Sequence, residues 1–162
     1  AAYFLTNFVS QDSVMNNGLW KSLENKVREM AKEHLCLHVY SGGVFKSKEE
    51  HGVKRTTYML TGKNDVGIPT HLFKVIYIFN YNETLKHEVY LVRNKAIKSS
   101  GERKNPLEAI ALEEKEGKDK TALLLQKYET NIKEIQKLTG MNFEEYYESN
   151  YPDWLNASDL TE

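Results

Sequence analysis

Three side-chain amides and one carboxylate near the start of the 162-residue sequence have the types and spacing of a hydrated metal site. The first to consider is Asn16, at the start of a predicted amphipathic helix over about residues 16–33. The apolar face of this helix is formed at three- and four-residue steps by Trp20, Leu23, Val27 and Met30. An asparagine in the first turn either caps the helix or offers its carbonyl oxygen to a hard cation.

Glu24 lies eight residues after Asn16, which is about 12 Å along a helix axis. The carboxylate therefore cannot share a direct ligand position with Asn16, but it can hold a metal-bound water, because its side chain tilts toward the helix amino terminus. Asn7 and Gln11, in the predicted strand and turn before the helix, add neutral donors for a phosphate or for the waters of the metal. Mg²⁺ suits such a set because it usually keeps several waters. The competing interpretation of Glu24 is a solvated surface charge.

The order of these residues resembles that in the DNA/RNA non-specific endonucleases, the ββα-metal (His-Me finger) nucleases of the endonuclease G type. Phe4-Leu-Thr-Asn-x-x-x-Gln is followed by Asn16-x-Gly-x-Trp-x-x-Leu-Glu, as in the second half of that family's active-site region. Three further blocks follow in the family's order, at residues 38–43, 66–76 and 132–143. Each block by itself is a weak signal, but the four in order indicate the fold.

This resemblance implies an α+β fold with a mixed, mainly antiparallel sheet and a long metal-bearing helix, incomplete without an upstream segment. It implies that Asn16 is the single protein ligand of Mg²⁺ and that Glu24 holds one of the metal's waters. Asn7 and Gln11 would be supporting polar residues of the catalytic cleft. The implied activity is Mg²⁺-dependent hydrolysis of phosphodiester bonds in DNA and RNA, with little sequence preference.

The largest departure from the family pattern is that no Arg-Gly-His sequence occurs in these 162 residues. The family's general base is the histidine of that motif, so we expect it on an amino-terminal chain or segment of the same protein. The chain alone should then be inactive. His71 matches a family histidine that is not the base, and a packing or hydrogen-bonding role is expected for it. Ser10 stands where the family usually has proline, which affects the rigidity of the loop.

The competing functional class is a catalytically inactive protein with the nuclease fold that binds nucleic acid or another partner. The presence of both Asn16 and Glu24 argues against it, because a protein without catalysis has no chemical reason to keep a hydrated metal site. The resemblance implies DNA and RNA as partners. The resemblance also allows a homodimer.

The composition is that of a folded domain with one core, since 40% of the residues are hydrophobic. No apolar run approaches the about 18 residues of a membrane span, so no membrane partner is expected. Sequons make Asn82 and Asn156 glycosylation candidates and favour secretion, with a mitochondrial or other intracellular location as the alternative. Cys36 is expected to be a small buried hydrophobe or, in a secreted protein, to pair with an upstream cysteine.

The net charge of −1 carries no signal for nucleic acid, but basic residues cluster within residues 46–63 and 93–104. These clusters either contact phosphates through charge alone or form an ordinary solvated surface. We assign residues 1–143 to the carboxy-terminal part of one nuclease-like domain and residues 144–162 to an acidic, aromatic tail.

Elements after the first helix follow from residue types and turn signals. Runs of β-branched and aromatic residues predict strands over 36–41, 55–61, 72–80 and 86–93. A hairpin loop is predicted at residues 80–84. Helical spacing over 121–138 predicts a further helix, which Gly140 ends.

Overall fold

A computed structural model describes residues 8–80, 86–95 and 123–143 of the chain. The strands in this part are β1 (Cys36–Val44), β2 (Lys48–Glu50), β3 (Val53–Arg55), β4 (Met59–Thr61), β5 (Val66–Ile68), β6 (His71–Phe79) and β7 (Lys86–Arg93). The main sheet has the order β1-β6-β7, while β2 pairs with β3 and β4 with β5. All of these pairs are antiparallel. The predicted α+β class with a mainly antiparallel sheet is confirmed.

Strand β6 is the centre of the core. It is buried from its second residue to its last, because it has a strand on each edge and packed side chains on both faces. Successive side chains point to opposite faces, so β6 contributes to two apolar clusters. The first contains Leu72, Ile76 and Ile78. The second contains Phe73, Val75, Tyr77 and Phe79.

The first cluster packs beneath a long helical region. This region comprises α1 (Ser13–Met15), a kinked segment (Asn16–Trp20) and α2 (Lys21–Glu33). Its predicted apolar face is confirmed, since Trp20, Leu23 and Met30 are buried in the first cluster and Val27 packs against it. The helical region begins three residues earlier than predicted, because a residue before Asn16 provides the cap.

The helix predicted over 121–138 is wrong as a continuous element. Residues 123–126 are helical, but residues 128–130 pair with the free edge of β7. The Leu91 N–H donates to the Tyr128 carbonyl at 3.0 Å, and the Thr130 N–H donates to the Val89 carbonyl at 2.9 Å. Asn131 then caps α3 (Ile132–Thr139) by accepting a hydrogen bond from the Glu134 N–H. Pairing with the sheet edge therefore overrides the local helical spacing.

The strand predicted over 55–61 is also wrong, because β3 and β4 belong to different hairpins and residues 56–58 only connect them. The turn between β2 and β3 has positive φ at His51 (53°) and Gly52 (75°). Two such residues make the tight turn that a two-residue hairpin loop needs. The backbone conformation of His51 and Gly52 thus pairs β3 with β2 in a hairpin, so β3 does not continue into β4.

Several predictions lie outside the described residues: those for Asn7, Asn82, Asn156, most of the loop at 80–84, and the tail after residue 143. Within them, Cys36 is half-buried and packs against the second cluster. No helix in the described part of the chain is long and apolar enough to cross a membrane.

Candidate metal site and its supporting residues

The hydrogen bonds at the start of the helical region show which residue caps it. Asp12 is the cap, and its Oδ1 accepts hydrogen bonds from the backbone N–H groups of Val14 and Met15, both at 3.0 Å. The Asn16 backbone N–H donates to the Asp12 carbonyl at 2.8 Å. The Asn16 side chain is exposed and makes no hydrogen bond to any described residue. The capping interpretation of Asn16 is therefore wrong, and its amide is available to a ligand.

A kink at Gly18 interrupts the helical region between Asn16 and Glu24. The Lys21 N–H bonds to the Asn16 carbonyl, five residues back, and Gly18 departs from helical geometry with φ −100° and ψ −105°. One residue is thus inserted relative to an α-helix, so the separation of Asn16 and Glu24 becomes equivalent to about seven α-helical residues. Seven residues are two turns, which returns to the same face. By this count we expect Asn16 and Glu24 to lie on the same side of the helical region.

Glu24 lies in the first turn of α2, is half-buried, and shares a face with Trp20, one turn earlier. Lys74 of β6 sits below this face. Its Nζ lies 4.6 Å from the centroid of the Trp20 ring and donates to Ser41 Oγ at 2.7 Å. Burial lowers the pKa of Lys74, and the Glu24 carboxylate partly opposes that shift. The positively charged ammonium group of Lys74 is thus held in place near the Glu24 carboxylate, which is the group expected to hold a metal-bound water.

Sequence reasoning did not single out Lys74. The available signal was a lone lysine within an otherwise apolar strand, since Lys74 is only 6% exposed in β6. A buried lysine needs a partner for its charge. In this protein that need is met by an aromatic face, a hydroxyl and a nearby carboxylate.

Gln11 lies in the loop just before the helical region. Its Oε1 is buried and has no hydrogen-bond partner among the described residues. A buried amide oxygen without a partner is costly, so it is an acceptor that suits a donor such as a held water. Asn7, the other predicted amide, lies outside the described residues.

The donor set fits a hydrated hard cation. Asn16 and Gln11 offer neutral amide oxygens and Glu24 offers a carboxylate, which are donor types that Mg²⁺ accepts directly or through water. Within residues 8–80, 86–95 and 123–143, no group of three His, Cys, Asp or Glu side chains is placed to hold a metal ion. A cation at this site would therefore be held mainly by amide oxygen and water.

His71 has the hydrogen-bonding role that was expected for it. Its Nδ1 lies 3.0 Å from Thr70 Oγ1. Burial lowers its pKa, as do the positive charges of Lys46 and Arg93, while Glu134 works in the opposite direction. A histidine in this environment is neutral near pH 7.

A family profile described as DNA/RNA non-specific endonuclease matches residues 1–150. Among curated proteins, the chain is 39% identical to "Nuclease EXOG, mitochondrial" of Danio rerio over 75 residues, 46% of this chain and 22% of that protein. It is 27% identical to "Endonuclease G, mitochondrial" of Homo sapiens over 96 residues, 59% of this chain and 32% of that protein. The chain thus spans a third or less of the length of these two relatives.

The fold matches a solved structure titled "Crystal structure of the EndoG/EndoGI complex: Mechanism of EndoG inhibition". The TM-score is 0.65 at 21% sequence identity, over 86% of this chain and 49% of the other. That likeness confirms the ββα-metal nuclease fold expected from the sequence. Together with the family profile, which covers nearly the whole chain, it identifies this chain as a member of the DNA/RNA non-specific endonuclease family.

Proposed function

We propose that this chain forms the metal-bearing part of an Mg²⁺-dependent endonuclease that hydrolyses phosphodiester bonds of DNA and RNA. The observation that carries this proposal is that Asp12, and not Asn16, caps the helical region. Asp12 caps the helix, which leaves the Asn16 amide exposed and without a described partner. The residue count across the kink at Gly18 supports a position for Asn16 on the side of Glu24. Family membership supplies the reaction class.

In this proposal each residue has a separate task. The Asn16 carbonyl oxygen would be the protein ligand, the Glu24 carboxylate would accept a hydrogen bond from a water on the ion, and Gln11 would accept one from another water through Oε1 or donate to a phosphate oxygen through Nε2. Mg²⁺, when bound, would stabilise negative charge developing at the scissile phosphate and its leaving oxygen. Lys74 would act as a buried positive charge near Glu24, and its burial argues against a direct contact with the substrate.

The general base is proposed to come from an amino-terminal chain or segment of the same protein that carries Arg-Gly-His, since these 162 residues contain no such sequence. Contact with DNA and RNA would be made through phosphate charge by exposed residues of the hairpins, namely Lys54, Arg55 and Lys63. Lys46 is less suited to this role, because its Nζ is 2.6 Å from Glu134 Oε1. A homodimer also remains a prediction.

For the cellular location, we propose mitochondria. The relatives named above carry that word in their names, which agrees with the alternative stated from the sequence. The expected secretion finds no support in these comparisons. Immunolocalisation of the full-length protein tests this directly, and a signal confined to the secretory pathway would refute it.

The metal site is tested by Asn16→Ala, with Asn17→Ala as the matched control. Asn17 is the next residue, is also exposed, and uses its amide only to donate to the Ser13 carbonyl at 2.8 Å. In the full protein, Asn16→Ala should lose Mg²⁺-dependent cleavage of plasmid DNA and of RNA by more than the about 10–100-fold typical of an outer-shell loss. It should also weaken Mg²⁺ binding in calorimetry, while Asn17→Ala changes both little.

Two results would contradict the proposal. Cleavage by Asn16→Ala at the parent's rate would remove Asn16 from the metal site. Absence of cleavage by the full parent protein, combined with equal nucleic-acid binding by parent and Asn16→Ala, would instead favour the inactive nuclease-fold protein.

A further inference from the structure

We infer that Asn94 is a positioning residue for the metal site: it holds the loop of residues 10–12, and through that loop the turn that carries Asn16. The inference rests on the proposed function for the purpose of this turn. Its structural basis is a set of hydrogen bonds at the carboxy-terminal end of β7, where the sequence analysis considered only the neighbouring basic residues and not Asn94.

Asn94 is buried, with 5% of its surface exposed, and each end of its side-chain amide is used. Its Oδ1 accepts a hydrogen bond from the Asp12 N–H at 2.8 Å. Its Nδ2 donates to the carbonyls of Ser10 and Pro69, both at 2.9 Å. The Asn94 backbone N–H donates to the Thr70 carbonyl at 2.9 Å, which fixes Asn94 to the segment that leads into β6.

From Asn94 the connection to Asn16 has only one intermediate residue. The Asp12 N–H is bound by Asn94, while the Asp12 carbonyl accepts from the Asn16 N–H at 2.8 Å and the Asp12 carboxylate caps the same turn. A shift of Asp12 would therefore move both the cap and the backbone of Asn16. The loop also contains Gln11, so two of the proposed site residues depend on the same anchor.

The residue at position 10 is a serine, whose backbone a hydrogen bond can help to hold. A proline ring would fix φ at this position, whereas serine does not. Here the Ser10 carbonyl is held by Asn94 instead. The loop also lies close to Gly43, where an added Cβ would be 2.6 Å from Pro69 Cγ and 3.1 Å from Val9 Cγ1. Gly43 thus leaves the room that the anchored loop occupies.

The test compares Asn94→Ala with Ile135→Ala in the full protein. Ile135 is fully buried in the second cluster, away from the first cluster beneath the helical region, so its loss should destabilise the fold without touching the loop. Amide hydrogen exchange is measured without metal at Val14, Met15 and Asn16, whose N–H groups all bond to Asp12. Mg²⁺ affinity is measured by calorimetry on the same samples.

Each variant is measured at the same number of degrees below its own Tm. Under that condition, Asn94→Ala should exchange these three amides about tenfold faster or more than Ile135→Ala. Asn94→Ala should also weaken Mg²⁺ binding about 10–100-fold. Equal exchange at these amides in the two variants would overturn the inference. So would unchanged Mg²⁺ affinity in Asn94→Ala when the parent binds Mg²⁺. If Asn94 contributed only to the global stability of the fold, both of these contrary results would be expected.

Two additions keep the outcome decisive. If Asn94→Ala does not fold, Asn94→Asp keeps the acceptor for the Asp12 N–H but loses the donors to Ser10 and Pro69, and it should show the same local effect in weaker form. If the parent binds no Mg²⁺, the proposed metal site fails, whereas the exchange rates still decide whether Asn94 holds the turn. The two hypotheses therefore fail separately.

Discussion

Replacing Tyr90 by phenylalanine should loosen the attachment of α2 to the sheet. The Tyr90 ring is fully buried in β7, and its hydroxyl accepts a hydrogen bond from Lys26 Nζ of α2 and donates one to Glu88 Oε2, both at 2.6 Å. The hydroxyl also lies 3.4 Å from Glu129 Oε1, in the segment that pairs with the free edge of β7. One oxygen thus joins three parts of the fold.

The magnitude follows from what phenylalanine removes and what remains. A hydrogen bond to a charged group contributes about 1.5–3 kcal/mol net. However, Lys26 Nζ also contacts Glu88 Oε2 directly at 2.6 Å, and these side chains are 32% and 30% exposed. Since that ion pair survives and water can reach it, we expect a loss of about 1–2 kcal/mol in the free energy of unfolding. For a chain of this size the Tm should fall by about 2–8 °C.

Denaturant and thermal unfolding of Tyr90→Phe and Tyr58→Phe measure this effect. Tyr58 is a matched control because it is 50% exposed and its hydroxyl has no hydrogen bond to a described residue, while its ring packs against Phe45. The control should change stability by less than about 0.5 kcal/mol. Equal stability of the two variants would refute the assigned role of the Tyr90 hydroxyl.

Alkaline pH gives a second measurement of the same group. Burial, and then Glu88, raise the pKa of Tyr90 well above its ordinary value of 10.0. The unfolded chain therefore releases this proton first, so the stability contributed by the neutral hydroxyl is complete below about pH 10 and declines as pH rises further. The parent should lose stability more steeply above pH 10 than Tyr90→Phe. Parallel curves would contradict this explanation.

Two further predictions concern acid sensitivity and the end of α3. The pKa of His71 is lowered from 6.5 by burial and by Lys46, so the stability it contributes is complete above pH 6.5 and is lost as pH falls through the lower folded value. His71→Gln should flatten Tm between pH 7 and pH 5, and an unchanged slope would contradict that role. Gly140 has φ 73° with open space around an added Cβ, so Gly140→Ala should cost about 1–2 kcal/mol by conformation alone, measurable by urea unfolding. Unchanged stability of Gly140→Ala would contradict this prediction and show that the end of α3 can adopt another backbone conformation.

Local signals predicted those elements whose pattern of apolar residues matches the faces they bury. The three- and four-residue spacing around Leu23 located the helical region, and the apolar run from Leu72 to Phe79 located a central strand. The failures lie where a distant partner competes with local preference. Residues 128–130 have helical spacing, yet the unpaired edge of β7 offers backbone hydrogen bonds, and these break the predicted helix.

The sequence by itself determined the candidate site residues, because the order of amides and carboxylate over twenty residues resembles a family pattern. It did not determine whether Asn16 caps the helix or remains available to a metal, since both roles suit an asparagine in a first turn. The tertiary structure decided this. Asp12 takes the cap while its own N–H is held by Asn94, 82 residues further along the chain. The capping bonds themselves are local, but the position of Asp12 is held by a hydrogen bond that only the folded sheet can supply.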